Sequence, residues 1–241
     1  MDDLTRAWEF YLQVGGFPDA FNAAGLGVAE TQALLEGLSR KLSLPTGDLP
    51  LARDVGLSDR RGKPDGERAE ARLGDLVVAF AVWRCHQRLA DRQLPNLRAY
   101  AKTYFCDPLL ARLAHIRNPI CPEPDPTLLT EQQLGRALAL AREKERPGTL
   151  MDFSQVMYLT TPTRKEIDFA GPAFPAVGVE GKYVDDGIAR AGATLRAQVD
   201  AGLVESGILA TRGVLMTEAS SNVWTIPSAI VAWLLPPLNG R

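Results

Sequence analysis

The chain has few of the side chains on which most hydrolases and metalloproteins rely. Its 241 residues include two histidines, His86 and His115, and three cysteines, Cys85, Cys106 and Cys121. Neither histidine has a Ser or Cys partner at a recognisable nucleophile–base spacing, which argues against triad-type hydrolysis. The cysteines are odd in number and lack C-x-x-C spacing. A disulfide framework and a zinc ribbon are therefore poor fits, and a reducing cytoplasm is the expected setting. No G-x-x-x-x-G-K-[ST] run occurs, so no ATP site of that kind is expected. No apolar run approaches membrane-spanning length; "VVAFAV" and "AIVAWLL" read as core segments, and no membrane association is expected. The start, "MDDLTRAWEF", is acidic and amphipathic, unlike a secretory signal. A large excess of charge of one sign is also missing: the net charge is −2 at pH 7, which excludes a bulk polyanion binder.

What is present is the composition of a globular protein, 46% hydrophobic and 23% charged, with enough chain for one large domain or two ordinary ones. The charge is uneven. Arg84 to Arg117 holds six arginines and one lysine against Asp91 and Asp107. Arg84, Arg88, Arg92, Arg98 and Lys102 are the candidates for tracking a phosphate backbone, although a solvated helical face has the same appearance.

Periodicity predicts a helix from Leu4 to Val14, stopped by Gly15-Gly16. Further helices are read over 28–42, over 48–55 and from 64–67 onward, with a polar loop "GLSDRRGKPDGER" between the last two. "LVVAFAVWRCHQRL" reads as helix into strand, with "NLRAYAKTYFCD" as its partner strand after an "LPN" turn. Helices followed by a β-hairpin suggest a winged-helix-like unit over residues 1–117. Four prolines between Asn118 and Pro126 mark a linker, taken as 118–129.

Beyond the linker, Thr130 is expected to cap a helix over "EQQLGRALALARE". Three strands follow, "FSQVMYLT", "KEIDFAG" and "AVGVEGKYV", the first two joined by a hairpin-length "TPTR". A helix from Gly187 to Ala201 stopped by Gly202, a strand "SGILATRG", and a strand-then-helix "NVWTIPSAIVAWLL" complete residues 130–241. The order α-β-β-β-α-β implies an α/β mixed sheet with a parallel crossover between Val177 and Arg212.

Two of those strands carry charge where a half-buried sheet is expected. Glu180 and Lys182 project from one face of their strand, and Asp168 lies on the neighbouring strand across "AGPAFPAVG". Two carboxylates brought together repel, and burial raises their pKa values unless a cation intervenes. A Mg²⁺ (or Mn²⁺) ion, which takes one or two carboxylates plus water and phosphate oxygens, resolves this. The lysine then orients or activates water, or steadies charge developing on phosphorus. Asp168, Glu180 and Lys182 are thus candidate catalytic residues, the two acids as metal ligands. An ordinary polar sheet face is the competing reading, and Glu166 reads as a surface residue.

Asp168 followed by Glu180-x-Lys182 within this element order resembles the PD-(D/E)xK restriction-endonuclease-like superfamily. Over nearly the whole chain, "WEFYLQVGGFPDAF", "KTYFCDPLLARL", "EIDFAG", "VGVEGKY" and "VWTIPSAIVAWLL" resemble, in order, the domain of unknown function 4143, the C-terminal part of many bacterial and archaeal AAA+ proteins. The resemblance implies a restriction-endonuclease-like domain over 130–241, a helical winged-helix-like domain before it, and the end of an ATPase lid within residues 1–25. It implies nucleic acid and a AAA+ module, in cis or in trans, as partners. Without a P-loop the chain is expected to be either a fragment or a stand-alone copy without its motor. Two departures stand out. The family often has a glutamate on the first core helix at the position of Ala139, for which Glu143, one turn further on, is the candidate substitute. Gly181 weakens the strand that carries the E-x-K pattern.

The resulting expectation is a nuclease-like module that hydrolyses phosphodiesters with Mg²⁺. The alternative is a non-catalytic docking or DNA-binding module on a degenerate nuclease fold, and a winged-helix transcriptional regulator is a third reading.

Overall fold

Runs of β-branched, aromatic and small apolar residues between Gly- and Pro-rich turns give this chain its strands, and leucine-rich 3.6-residue stripes give its helices. The computed structural model describes residues 2–16, 82–89, 92–117, 120–143, 153–161, 165–172, 174–217 and 222–234. The helices and polar loop read between 28 and 81, and with them most of the winged-helix-like expectation, lie outside the described residues. The elements are α1 (Asp2–Val14), β1 (Val82–Gln87), β2 (Lys102–Phe105), α2 (Pro108–Arg117), α3 (Pro126–Glu143), β3 (Met157–Thr160), β4 (Glu166–Gly171), β5 (Phe174–Gly181), α4 (Ile188–Ala191), α5 (Ala193–Asp200), β6 (Ser206–Thr211), β7 (Met216–Thr217), β8 (Val223–Pro227) and α6 (Ser228–Leu234).

The protein is α/β with a mixed sheet, in the order β2-β1-β3-β4-β5-β6-β8-β7. β1 runs parallel to β3, and β3–β4 and β4–β5 are antiparallel. β5–β6 and β6–β8 are parallel, so the connection through α4 and α5 joins two parallel neighbours, as the sequence predicts.

The chain divides into two compact units. One comprises residues 1–8, 84–102 and 126–241; the other comprises 9–83 and 103–125. The division is not linear. Residues 84–102, which the sequence groups with the N-terminal part, belong to the unit that holds β3 to β8.

In that larger unit one core cluster joins Leu159, Ile167, Ala170, Leu209 and Val223 of the sheet to Leu195 of α5 and to Val204. The helix expected over 187–201 is interrupted at Gly192, where a side chain would meet Leu209 of β6 at 3.1 Å. Helix α3 begins one turn earlier than its expected cap. Pro126 opens it, because a fixed φ and a missing N–H suit the first helical turn. Thr130 therefore lies within the helix, with its hydroxyl buried and, among the described residues, without a hydrogen-bond partner.

In the smaller unit Asp107 caps α2: its Oδ1 accepts from the Leu109 N–H at 2.9 Å and its Oδ2 accepts from the Gly16 N–H at 2.8 Å. No helix among the described residues is long and apolar enough to cross a membrane.

Candidate functional site

The strands β4 and β5 bring the charged residues of "EIDF" and "VEGK" together. Asp168 is buried on β4, and its Oδ2 accepts a hydrogen bond from the main-chain N–H of Gly181 at 2.9 Å. Glu180 is buried near the end of β5, with Oε1 2.9 Å from Lys182 Nζ. Lys182 follows β5 directly. Its N–H donates to the Ala210 carbonyl at 2.8 Å and its carbonyl accepts from the Val184 N–H at 2.8 Å, so the backbone under its side chain is fixed.

A second lysine joins them. Lys102, the first residue of β2, has Nζ 3.1 Å from Glu166, 3.2 Å from Glu131 and 3.6 Å from Asp168 Oδ1. The ring of Tyr158 lies 5.3 Å from the same ammonium, within cation–π range. All these residues belong to the larger unit.

Helix α3 contributes Glu131 and packs close to Gly181. A Cβ on Gly181 would stand 3.3 Å from Leu134 and 3.7 Å from the Glu131 backbone. The glycine thus has a local reason: the helix passes so close that only a small side chain fits there.

The electrostatics follow from this crowding. Four carboxylates (Glu131, Glu166, Asp168, Glu180) meet two ammonium groups (Lys102, Lys182), an excess of two negative charges when all are ionised. Burial, with Glu131 and Glu180 nearby, pushes the Asp168 carboxyl up to about 7, although both lysines oppose this. Burial also raises Glu180, against the pull of Lys182. Burial alone would lower Lys182, but Asp168 and Glu180 outweigh it, so its pKa is raised and the group stays an ammonium. Lys102 is raised as well, since Glu131, Asp168 and Glu166 overcome its desolvation.

Among the described residues no group of three or more His, Cys, Asp or Glu is disposed to hold a metal ion. The pair Asp168 and Glu180 nevertheless suits a hard cation that keeps most of its water. Among the described residues Glu180 Oε2 is a buried carboxylate oxygen with no hydrogen-bond partner, and the excess of two negative charges matches one divalent ion. The donor set fits Mg²⁺ or Mn²⁺ and contains no soft ligand.

The residues proposed from sequence are distributed as follows. Asp168, Glu180 and Lys182 share one site. Ala139 is buried and supplies no acid, and the Glu143 side chain lies outside the described residues. Lys102, grouped by sequence with the arginines, is ion-paired to three carboxylates. Arg88 is buried, with Nη1 3.4 Å from Gln93 Oε1. Arg84 is half-buried, while Arg92 and Arg98 are exposed.

Sequence reasoning missed Glu131 and the part played by Lys102 and Glu166. The available signal for Glu131 was its place three residues before Leu134, on the face of α3 that is buried. Compared with known proteins, the chain matches no family model, no curated protein and no solved structure.

Proposed function

We propose that the larger unit is a restriction-endonuclease-like module that hydrolyses phosphodiester bonds in nucleic acid with a divalent metal. Asp168 and Glu180 hold Mg²⁺ or Mn²⁺, and Lys182 is the lysine of the site. The observation that carries the reading is the buried Asp168 and Glu180 beside the half-buried Lys182, with one Glu180 oxygen unpartnered among the described residues.

Hydrolysis adds a water oxygen to phosphorus and breaks one P–O ester bond, leaving a phosphomonoester and an alcohol. When bound, the ion supplies acidified water and neutralises charge on the phosphate. Lys182, held as an ammonium by Asp168 and Glu180, does not take the proton. It orients the attacking water and stabilises charge gathering on the phosphoryl oxygens. Glu180 holds the Lys182 ammonium, and the Gly181 N–H holds Asp168 with one oxygen turned from it. Lys102 keeps Glu131, Glu166 and Asp168 together. In line with the sequence resemblance, the module works beside a AAA+ ATPase supplied in cis or in trans, with nucleic acid as its substrate.

One observation favours a second reading. Lys102 already gives Asp168 an internal counter-ion, as a degenerate site used only for docking or DNA binding would require. Thermal unfolding with added Mg²⁺ or Mn²⁺ separates the two. An ion at a hundredfold excess over its dissociation constant stabilises the folded chain by about 2.7 kcal/mol. The rise in Tm is expected in the wild type and is lost in Glu180→Gln. An unmoved wild type gives the site to the docking reading.

A further inference from the structure

The loop between β1 and β2 leads straight into the site and exposes the wrong residues for a merely solvated turn. Leu94, Leu97 and Tyr100 are 53%, 75% and 70% exposed. The loop carries Arg88, Arg92 and Arg98 against the single acid Asp91, and Arg92 and Arg98 are exposed. Main-chain hydrogen bonds tie the described part of this loop to itself. Leu89 N–H donates to the Leu94 carbonyl at 2.9 Å and Asn96 N–H to the Gln87 carbonyl at 2.7 Å. Arg88 and Pro95 form an antiparallel bridge.

The far end of the loop is tied to the carboxylates. Tyr158 Oη donates to the Tyr100 carbonyl at 2.6 Å, and the Tyr158 ring lies under Lys102, which pairs with Asp168. The Tyr100 ring therefore stands on a fixed support two residues from the site.

We propose that this loop is the binding surface for an unpaired nucleic-acid strand, with Tyr100 stacking on a base and Arg98 meeting the backbone. The inference rests on the nuclease reading and specifies its substrate as single-stranded or frayed. A duplex offers bases only as groove edges, so an exposed ring and two leucines gain little from it. An unpaired strand offers base faces, which aromatic side chains cover irrespective of sequence, while arginines neutralise the phosphates.

The test is fluorescence anisotropy with a labelled oligothymidine and with a labelled duplex, in EDTA so that no strand is cut. One stacked base contributes about 1–3 kcal/mol, so Tyr100→Ala is expected to weaken single-strand binding by about tenfold or more. Duplex binding stays unchanged, and Tyr100→Phe binds like the wild type. Because Tyr158 bonds the Tyr100 main chain, the alanine variant keeps that support, and an unchanged Tm verifies it. Arg98→Ala is expected to weaken both ligands and to flatten the salt dependence by about one phosphate contact. Equal single-strand affinity of wild type and Tyr100→Ala overturns the proposal. So does Leu97→Asp converting a dimer to a monomer in light scattering while strand binding persists, which gives the surface to a second copy of the chain. Failure of the nuclease reading looks different: strand binding depends on Tyr100, yet no metal produces cleavage.

Discussion

The main-chain N–H of Gly181 donates to Asp168 Oδ2 at 2.9 Å, so the glycine between the glutamate and lysine of "VEGK" positions the aspartate of "EIDF". A Cβ there would meet Leu134 Cδ1 at 3.3 Å, a contact relieved by a shift of a few tenths of an ångström. Gly181→Ala is therefore expected to leave Tm nearly unchanged. The branched side chain of Gly181→Val presses on helix α3 and is expected to destabilise by about 1–3 kcal/mol, the usual range for overpacking. Thermal unfolding of the two variants checks the order, and a valine tolerated as well as alanine contradicts it.

Asp168 also sets a pH dependence. Its carboxyl is pushed up to about 7 in the folded chain, while the unfolded chain releases that proton near pH 4. Between these values the folded state binds more protons, so metal-free stability falls as pH rises from about 4 through 7. Glu180, also raised, acts in the same direction. Asp168→Asn is expected to flatten the fall and to unfold at a higher temperature than the wild type at pH 8 without metal. Added Mg²⁺ is expected to stabilise the wild type more at pH 8 than at pH 5, since the ionised carboxylate is the ligand. A metal-free Tm that rises across this window contradicts the assignment.

Lys102 is one of the two cations of the site, within 3.6 Å of three carboxylates. Lys102→Met leaves those groups without their shared ammonium. Breaking a buried ion pair of this kind destabilises by about 3–5 kcal/mol, discounted here because Glu166 is half exposed. The same change removes a positive charge beside the metal ligands, so divalent-ion affinity is expected to tighten by at least about threefold. Calorimetric titration of Mn²⁺ into wild type, Lys102→Met and Lys102→Arg reads this out, with the arginine variant near the wild type. Weaker binding in Lys102→Met contradicts the counter-ion role.

The smaller unit has its own test. Gly15 has φ +76°, and a Cβ there would lie 2.7 Å from Leu109 Cβ and against Asp107 Oδ1. Gly15→Ala is strained in both backbone and packing. It is expected to destabilise more than Asp107→Ala, which loses a helix cap for about 0.5–2 kcal/mol together with the bond from Gly16. Urea midpoints of the two variants establish the order.

The parts of this picture that were legible in the sequence are local ones. Alternation placed Glu180 and Lys182 side by side, and the existence of β3, β4 and β5 and the parallel step to β6 were legible. Their bounds were not: Phe153–Gln155 form a 3-10 turn, and β5 starts at Phe174 within the expected loop and ends at Gly181. Lys102 and Glu131 escaped because nothing in their neighbourhoods encodes their meeting. The two stand 29 positions apart, and the sheet reaches back to β1, in parallel with β3, to bring Lys102 in. The basic stretch is less uniform than it reads, for a related reason. Its charges read as one stripe in sequence, yet Lys102 turns to the carboxylates, Arg88 is buried and only Arg92 and Arg98 of the five candidates are exposed. Gly181 looked like a defect in its strand because propensity does not register a helix packed against it.

The most direct measurement is cleavage of plasmid and single-stranded DNA in Mg²⁺ or Mn²⁺ by the wild type and by Asp168→Asn, with both proteins shown to be folded. Metal-dependent cutting by the wild type, abolished by EDTA and by the substitution, is the expected result. Absence of cutting in either metal, with no metal-induced rise in Tm, contradicts a catalytic role for the Asp168–Glu180–Lys182 site.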